Sequence, residues 1–389
     1  MRVLHCITGL TGDGAQRVLL RLADNMRPLG VQSAVVNLGA PTHLVSLFNA
    51  AGMAVWSLDL GASVGGLTSG VRRLKRLVEE VRPDLIQGWM YHANLIIGLS
   101  HIVGGRRLPI LWNIRRGLDD YAQRQLRTRC VIRGNALLSS IVDGIIYCSS
   151  ESKAQHEEFG FRSGCSVVFG NGFDTEKFRP RPESRREFRR KHTISDDEIV
   201  IGNIGRFDVA KGHAYLVEAF SRVLAVRPEV RLVLVGRGMD NSNDEIRSML
   251  DRLRCRERVL LLGEQSHVET IHPAFDLYCS SSISEGFPNA LSEAMACGVV
   301  CVTTDTGASK HLVEGIGRVV AARRVDLLAD AILAALAEGS ETRQVAAERG
   351  RQRIVSRYAL GSVVQQYADL YSAVASSGSL ASLNLNPRE

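Results

Sequence analysis

The sequence predicts an α/β protein built from two doubly wound domains of similar size. Three observations predict it. Short, nearly continuous apolar runs recur from end to end with amphipathic stretches between them. Strands apolar on both faces belong to parallel sheets covered by helices. The alternation also pauses at a polar, basic, proline-bearing seam near 170–195 and then begins again. Finally, 389 residues suit two or three domains at roughly 150 residues each.

In the first half, strands are expected at "RVLHCI" (2–7), "QSAVVNL" (32–38), "DLIQGW" (84–89), "PILWNI" (109–114) and "VDGIIYCS" (142–149). Helical patterns occupy 15–27, 65–81 and 92–103 between them. The opening "MRVLHCITGL" has one arginine and an apolar stretch broken by His5 and Cys6, so it reads as a buried strand rather than a signal peptide. The seam "GNGFDTEKFRPRPESRREFRRKH" (170–192) reads as an interdomain connection entering a short helix, with its Arg/Lys run first a solvated face and second a phosphate or membrane contact.

The second alternation runs through "EIVIGNIG" (198–205), "VRLVLVG" (230–236), "RVLLLG" (258–263), "DLYCSS" (276–281) and "VVCVTT" (299–304). Helices are expected near 213–226, 243–255, 289–297 and 325–337. This predicts an N-terminal domain over 1–170, a linker over 171–195 and a C-terminal domain over 196–357. The Ser/Asn-rich tail 376–389 is expected to be disordered. Ligands of open α/β sheets bind beyond the carboxyl ends of the strands, so two such domains are expected to enclose one cleft.

Composition narrows the partners. A net charge of +7 and a pI near 9.1 favour nucleotides, nucleic acid or an anionic membrane surface. Aromatic residues make up only 6%, and no nucleic-acid recognition module is present, which argues against nucleic acid. No apolar run approaches the ~18 residues of a membrane span. None of the eight cysteines forms a CxxC pair, and most lie in apolar segments, as small hydrophobes of a reducing compartment do.

Three stretches carry chemistry. In "SEGFPNALSEAMACG" (284–298), Glu285 belongs to a strand-to-helix loop and Glu293 lies about one turn into the helix. Gly286 allows close approach of backbone N–H groups, and a helix start favours anions. Carboxylates beside free N–H groups suit a polyhydroxylated, phosphorylated ligand. In "GNIGRFDVAKGHAYLVEAF" (202–220), Arg206 and Lys211 follow a strand and precede a helix, so both can reach one diphosphate. In "TGLTGDGAQRVLLRLA" (8–23), Gly9, Gly12 and Gly14 crowd the loop after the first strand. That loop suits a phosphate or a tight turn, and no Walker Gly-Lys-Ser/Thr follows.

Together these stretches resemble the motifs of glycosyltransferase family 4. "SSSISEGFPNALSEAMACGVVCVTTDTGAS" is similar to the family's Glu, seven residues, Glu signature, and "GNIGRFDVAKG" to its Gly-Arg…Lys-Gly segment. "VVFGNGFDTEKFRP" resembles its interdomain connection, and "TGDGAQRVLLRLA" its N-terminal glycine loop. "RYALGSVVQQYADLYSAV" (357–374) resembles its closing helix, which implies a helix over 358–375 packing back on the first domain.

The resemblance implies the GT-B fold of two Rossmann-like domains facing across a cleft, and a retaining transfer from a nucleotide-sugar donor. By analogy Arg206 and Lys211 neutralise the diphosphate and Glu293 holds the ribose. Glu285 and the Gly286–Phe287 backbone hold the donor sugar, with Gly12 and Gly14 at the donor as well. The implied acceptor is a saccharide or lipid-linked diphosphate in surface-polysaccharide synthesis. The implied place is the cytoplasm, peripheral on the inner membrane's cytoplasmic face.

No cofactor is implied. Metal independence is expected because no two aspartates stand at i, i+2.

Two positions depart from the family. The glycine loop reads Asp13-Gly14-Ala15-Gln16 where Gly-Gly-Ala-Glu is usual. In "LWNIRRGLDD" (111–120), Arg116 stands where many members have a histidine. Arginine cannot act as a base at neutral pH, but Arg115 and Arg116 could bind an acceptor phosphate. His92 in "GWMYHANL" is the remaining histidine candidate, although a lone histidine after a strand is ordinarily structural. The many arginines of 106–133, with Leu126, Val131, Ile132, Leu137 and Leu138 nearby, suit either an anionic membrane or an ordinary basic surface helix. A nucleotide-sugar epimerase on the same fold and a catalytically inactive nucleotide-sugar-binding protein are the competing readings.

Overall fold

The computed structural model describes residues 1–10, 14–60, 64–103, 108–377 and 380. It divides into two units, Met1–Gly172 with Leu360–Glu389 and Phe173–Ala359.

The first unit alternates β1 (Arg2–Ile7), α1 (Gly14–Met26), β2 (Gln32–Asn37), α2 (Leu44–Ala50), β3 (Ala54–Ser57), α3 (Val64–Val81), β4 (Leu85–Trp89) and α4 (Met90–Val103). It continues with β5 (Ile110–Ile114), α5 (Leu126–Leu138), β6 (Gly144–Tyr147), α6 (Ser150–Phe159) and β7 (Ser166–Val168). The seven strands lie in the order β3-β2-β1-β4-β5-β6-β7, all parallel. β4 and β5 are buried along their whole length, which explains their mostly apolar composition; each carries one buried polar side chain, Gln87 and Asn113. Separate apolar cores cover the two sheet faces. One is built around Leu19, Phe48 and Trp89, the other around Leu74, Trp112 and Ile132.

The second unit contains α7 (Pro182–Lys191), β8 (Ile199–Ile204), α8 (His213–Val226), β9 (Val230–Val235), α9 (Asp244–Arg252), β10 (Val259–Leu261) and β11 (Leu277–Ser280). It ends with α10 (Asn289–Ala296), β12 (Val300–Thr304), α11 (Ser309–Val313), β13 (Arg318–Val320), α12 (Val325–Ala337) and α13 (Ser340–Tyr358). Its parallel sheet has the order β10-β9-β8-β11-β12-β13.

In both sheets the strand order reverses at the first strand, between β1 and β4 and between β8 and β11. These are the switch points beside which open α/β sheets bind ligands. The loops leaving β8 and β11 carry Arg206, Lys211 and Glu285; in the first unit Gly9 follows β1, and α4, which begins directly after β4, carries His92.

The final helix, α14 (Leu360–Ser377), belongs to the first unit. Tyr367 accepts a hydrogen bond from Asn113 Nδ2 at 3.0 Å, and the Tyr371 hydroxyl donates to Gln87 Oε1.

One expectation is corrected. The basic run of the seam is not simply a solvated face. α7 turns Arg189 inward, its side chain only 5% exposed, to meet Asp276 and the Glu198 carbonyl, while Arg185 pairs with Asp276 at 2.7 Å. Apolar Phe188 sets that face by burying between the cations. Within the tail, Leu380 is 5% exposed, and its N–H donates to the Asp143 carbonyl at 2.8 Å. Residues 378–379 and 381–389 lie outside the described residues.

Seven of the eight cysteines are buried, Cys130 is exposed, and all are free. Among the described residues no helix is long and apolar enough to cross a membrane.

Candidate active site

The loop after β8 is built to hold Lys211 in one place. Asp208 caps a short 3-10 turn, its Oδ1 accepting from the Ala210 N–H at 2.8 Å. Gly212 then turns the chain at φ +64, and an added Cβ would lie 2.1 Å from the Ser281 carbonyl oxygen. Only glycine fits there, so this loop presses directly on the loop leaving β11. The Ser281 hydroxyl donates to the Lys211 carbonyl at 3.0 Å, and the Ile283 N–H donates to the Ala210 carbonyl at 2.8 Å. Two segments some seventy residues apart thus meet backbone to backbone.

Their side chains meet as well. Lys211 Nζ lies 2.6 Å from Glu285 Oε1. The same oxygen accepts from the Ser282 hydroxyl at 2.7 Å. Thr304, at the end of β12, donates its hydroxyl to the Ser282 carbonyl at 2.5 Å. Gly307 supports the loop from the other side. Its φ is +49, and a Cβ would fall 2.6 Å from the Gly286 carbonyl oxygen. Arg206 stands at the same strand end with Nε 3.1 Å from Asp208 Oδ2 and its side chain 39% exposed. A cation–carboxylate pair held by three strand ends can receive a phosphate on the ammonium and a hydroxyl on the carboxylate.

Behind the pair, Asn203 donates to the Cys279 carbonyl at 2.7 Å and accepts on Oδ1 from His213 Nε2 at 3.2 Å. Burial first, and then the Lys211 charge, push the His213 pKa down to about 3. The imidazole therefore stays neutral beside the cation.

Phe287 is buried, stacked near Phe173 and edge-on to Tyr358. Its ring anchors the loop, and the Gly286 carbonyl accepts from the Ala308 N–H at 3.2 Å. Glu293 is the fifth residue of α10 and its side chain is 14% exposed. Buried His272 directs Nε2 toward its Oε2 at 3.6 Å.

The first unit carries the remaining candidates. Gly14 begins α1 and is exposed, whereas Gly12 lies outside the described residues. His92 is an exposed residue in the first turn of α4, and desolvation by the surrounding chain lowers its pKa. Met90, which opens that helix, has φ +69, an uncommon conformation for a long side chain.

Arg115 is consumed internally. Its guanidinium donates to the Phe169 carbonyl at 2.8 Å, to the Tyr367 hydroxyl at 3.2 Å and to Asn171 Oδ1. Arg116 remains 41% exposed and pairs with Asp120 at 2.5 Å, which also holds Arg124.

Among the described residues the structure therefore joins Lys211 with Glu285. Arg206 stands at the same strand end, Glu293 lies on the following helix, and Arg115 serves packing. Sequence reasoning missed Asp208, Ser282, Thr304 and His272. An Asp followed by a short turn and a glycine signals the first of these. The serine run before Glu285 hints at the second; Thr304 and His272 have no local signal.

Two family models match the chain. "Glycosyl transferases group 1" covers residues 184–353, and "Glycosyltransferase Family 4" covers residues 12–177. The chain is 29% identical to EpsF of Bacillus subtilis (strain 168) over 356 residues, 88% of this chain and 90% of that one. It is 26% identical over 381 residues to the phosphatidyl-myo-inositol mannosyltransferase of Mycobacterium tuberculosis (strain ATCC 25618 / H37Rv), 94% of each chain. The crystal structure of Anabaena HepE in complex with UDP superposes with a TM-score of 0.84 at 22% identity, covering 96% of this chain and 100% of that one.

Proposed function

Because the chain belongs to glycosyltransferase family 4 and is a GT-B glycosyltransferase, we propose that it moves a hexosyl or related sugar from a nucleotide-sugar donor to a saccharide or lipid-diphosphate acceptor, with retention at the anomeric carbon, in surface-polysaccharide synthesis. The observation that carries this reading is the Lys211–Glu285 pair, set at the switch point of the second sheet by Gly212 and Gly307.

In the proposed reaction the bond from the anomeric carbon to the donor diphosphate breaks, and a bond to the acceptor oxygen forms on the same face. The acceptor proton passes to the leaving phosphate oxygen. Arg206 and Lys211 stabilise the charge that collects on that diphosphate, where fixed cations lower the barrier. Glu285 faces the sugar as it becomes oxocarbenium-like. Glu293 holds the ribose, which does not react.

The Lys211–Glu285 pair adds a step to this reading. The diphosphate must draw Lys211 toward itself, and that movement frees the carboxylate for the sugar. Solved HepE complexes with UDP and UDP-glucose support a UDP-sugar as the first donor to test.

The exposed stripe of α5 supports peripheral membrane binding. Leu126, Cys130, Arg133 and Leu137 recur at helical spacing along it, with Leu126 72% and Leu137 80% exposed and Arg127 beside them.

A donor panel tests the function. The protein is incubated with UDP-, GDP- and ADP-sugars and with lipid-linked or soluble acceptors. Released nucleotide and glycosylated product are measured, and the anomeric configuration is read by NMR. Product with retained configuration is expected; inversion, or no transfer from any donor, overturns the proposal.

A further inference from the structure

His272 is a histidine in a site that a phenylalanine would fill. Its ring is fully buried, with Phe178, Phe275 and Tyr278 at centroid distances of 6.1, 5.9 and 5.8 Å. Among the described residues neither ring nitrogen has a hydrogen-bond partner. A buried polar atom without a partner is costly, so the ring's polarity is a burden on the fold of this cluster. One of those nitrogens has a direction, however. Nε2 lies 3.6 Å from Glu293 Oε2, and the Glu293 side chain is itself only 14% exposed.

That distance falls just outside the hydrogen-bond range. A closure of about 0.5 Å would bring it to the upper end of ordinary N–H···O distances. A glutamate on a helix has several rotatable bonds, and freezing them on binding costs entropy. A donor on the buried side of the carboxylate fixes the rotamer in advance and leaves the other oxygen for the ligand, as a group behind a ligand-binding side chain does. The N–H of an imidazole donates to a carboxylate in either charge state, provided Nε2 carries the proton.

We propose that His272 is a positioning residue for Glu293. It closes to a hydrogen bond when a nucleoside diphosphate occupies the site, and it holds the carboxylate for the two ribose hydroxyls. The proposal rests on the donor reading above, and it adds a residue to which neither the sequence motifs nor the surface of the site points. His272 comes from the short turn His272–Ala274 before β11, whereas Glu293 belongs to α10 beyond it. The helix that carries the ligand group and the turn that aims it are thus separate pieces of chain packed on one sheet end.

Four variants and one panel test it. Wild type is titrated with UDP, GDP and ADP by calorimetry, and the tightest binder is the probe. His272→Phe should weaken that binding about 5- to 30-fold. It should also raise donor KM with kcat changed less than twofold, because a ribose contact persists unchanged into the transition state. Its Tm should stay level or rise, since the phenyl ring removes two unpartnered nitrogens from an aromatic nest. A residue with only a structural role would move Tm and leave the KM-to-kcat split alone.

His272→Gln, whose amide can donate to the carboxylate, should recover part of the lost affinity. In a Glu293→Gln background, His272→Phe should cost less than threefold, because its target is already gone. Unchanged probe binding by His272→Phe overturns the proposal, as does full additivity of the two substitutions. If wild type binds none of the three diphosphates, the donor reading itself falls and this proposal falls with it.

Discussion

Lys211→Met should weaken nucleotide binding and Glu285→Gln should not, although the two residues form one ion pair. The ammonium is 2.6 Å from the carboxylate, with 31% of the Lys211 side chain and 12% of the Glu285 side chain exposed. Removing Lys211 leaves a mostly covered carboxylate with the Ser282 hydroxyl as its remaining partner at 2.7 Å. Breaking a fully buried pair costs roughly 3–5 kcal/mol. Lys211 reaches water, so screening reduces the cost to roughly 1–2 kcal/mol, or a fall of about 2–8 °C in the Tm of a unit this size. Loss of a charged contact to diphosphate adds about 1.5–3 kcal/mol to binding, a 10- to 150-fold weaker Kd for the nucleoside diphosphate. Turnover should fall by roughly 10²–10³, because that contact strengthens as the leaving group gains charge. In Glu285→Gln the ammonium loses its competitor, so diphosphate binding should hold or tighten while kcat falls. The double variant should recover much of the Tm lost in Lys211→Met. Calorimetric titration with UDP, GDP and ADP, thermal melts and nucleotide-release kinetics read all three quantities. Wild-type diphosphate affinity in folded Lys211→Met, or equal weakening in both single variants, would refute the reasoning.

Three further outcomes are expected. Gly212→Ala, whose Cβ would meet the Ser281 carbonyl at φ +64, should cost roughly 1–3 kcal/mol in strain and lower kcat with it; melts and rates matching wild type would contradict the loop account. Acid should weaken the first unit through His156, whose Nδ1–H donates to the Ser152 carbonyl at 2.6 Å while Nε2 accepts from the Tyr91 hydroxyl at 2.8 Å. Desolvation lowers its pKa to about 4; a folded pKa below the unfolded value near 6.5 means the unfolded state takes the proton first, so stability present above about pH 6.5 is lost as pH falls toward 4, by roughly 2 kcal/mol between pH 7 and 5. Denaturant melts across that range should show the loss, and His156→Gln should flatten it. Turnover should persist in excess EDTA, since the chain has no Asp-x-Asp pair; loss restored only by added divalent metal would count against this.

The strands that read clearly in the sequence include those whose burial makes them mostly apolar. β4, β5, β11 and β12 are covered along their whole length, and each reads as a nearly continuous apolar run. The strands missed, β3, β7 and β13, are edge or near-edge strands of three or four residues with only partial burial. Partial burial leaves no period and no run to detect. Charge patterns misled for a related reason. "SRREFRRK" reads as solvated because arginine ordinarily is, yet Asp276, some ninety residues on, accepts two of those guanidinium groups. The site divides in the same way. Glu285 and Glu293 are legible because a strand, a glycine loop and a helix start are local events. Lys211 is legible on the same grounds, but its pairing with Glu285 and the approach of His272 to Glu293 are tertiary contacts that no local spacing encodes.

The two sheets share one strand order but put different chemistry at their switch points. In the second unit the position is occupied by paired charges, and glycines that tolerate no side chain lock the surrounding backbone. In the first unit the equivalent turn opens with Met90 at φ +69 and an exposed His92. After β5, the Arg115 guanidinium is spent on packing bonds while Arg116 pairs with Asp120 and stays partly exposed. Arg116 cannot take a proton at neutral pH, and a guanidinium tethered at i, i+4 is a binding group for a planar anion. On the proposed assignment, then, the first unit recognises an anionic acceptor and contributes no base at this position. The acceptor proton must pass to an oxygen of the departing diphosphate. The cations that hold that diphosphate, Arg206 and Lys211, therefore govern both leaving-group departure and proton transfer, and substituting either should slow transfer to every acceptor alike.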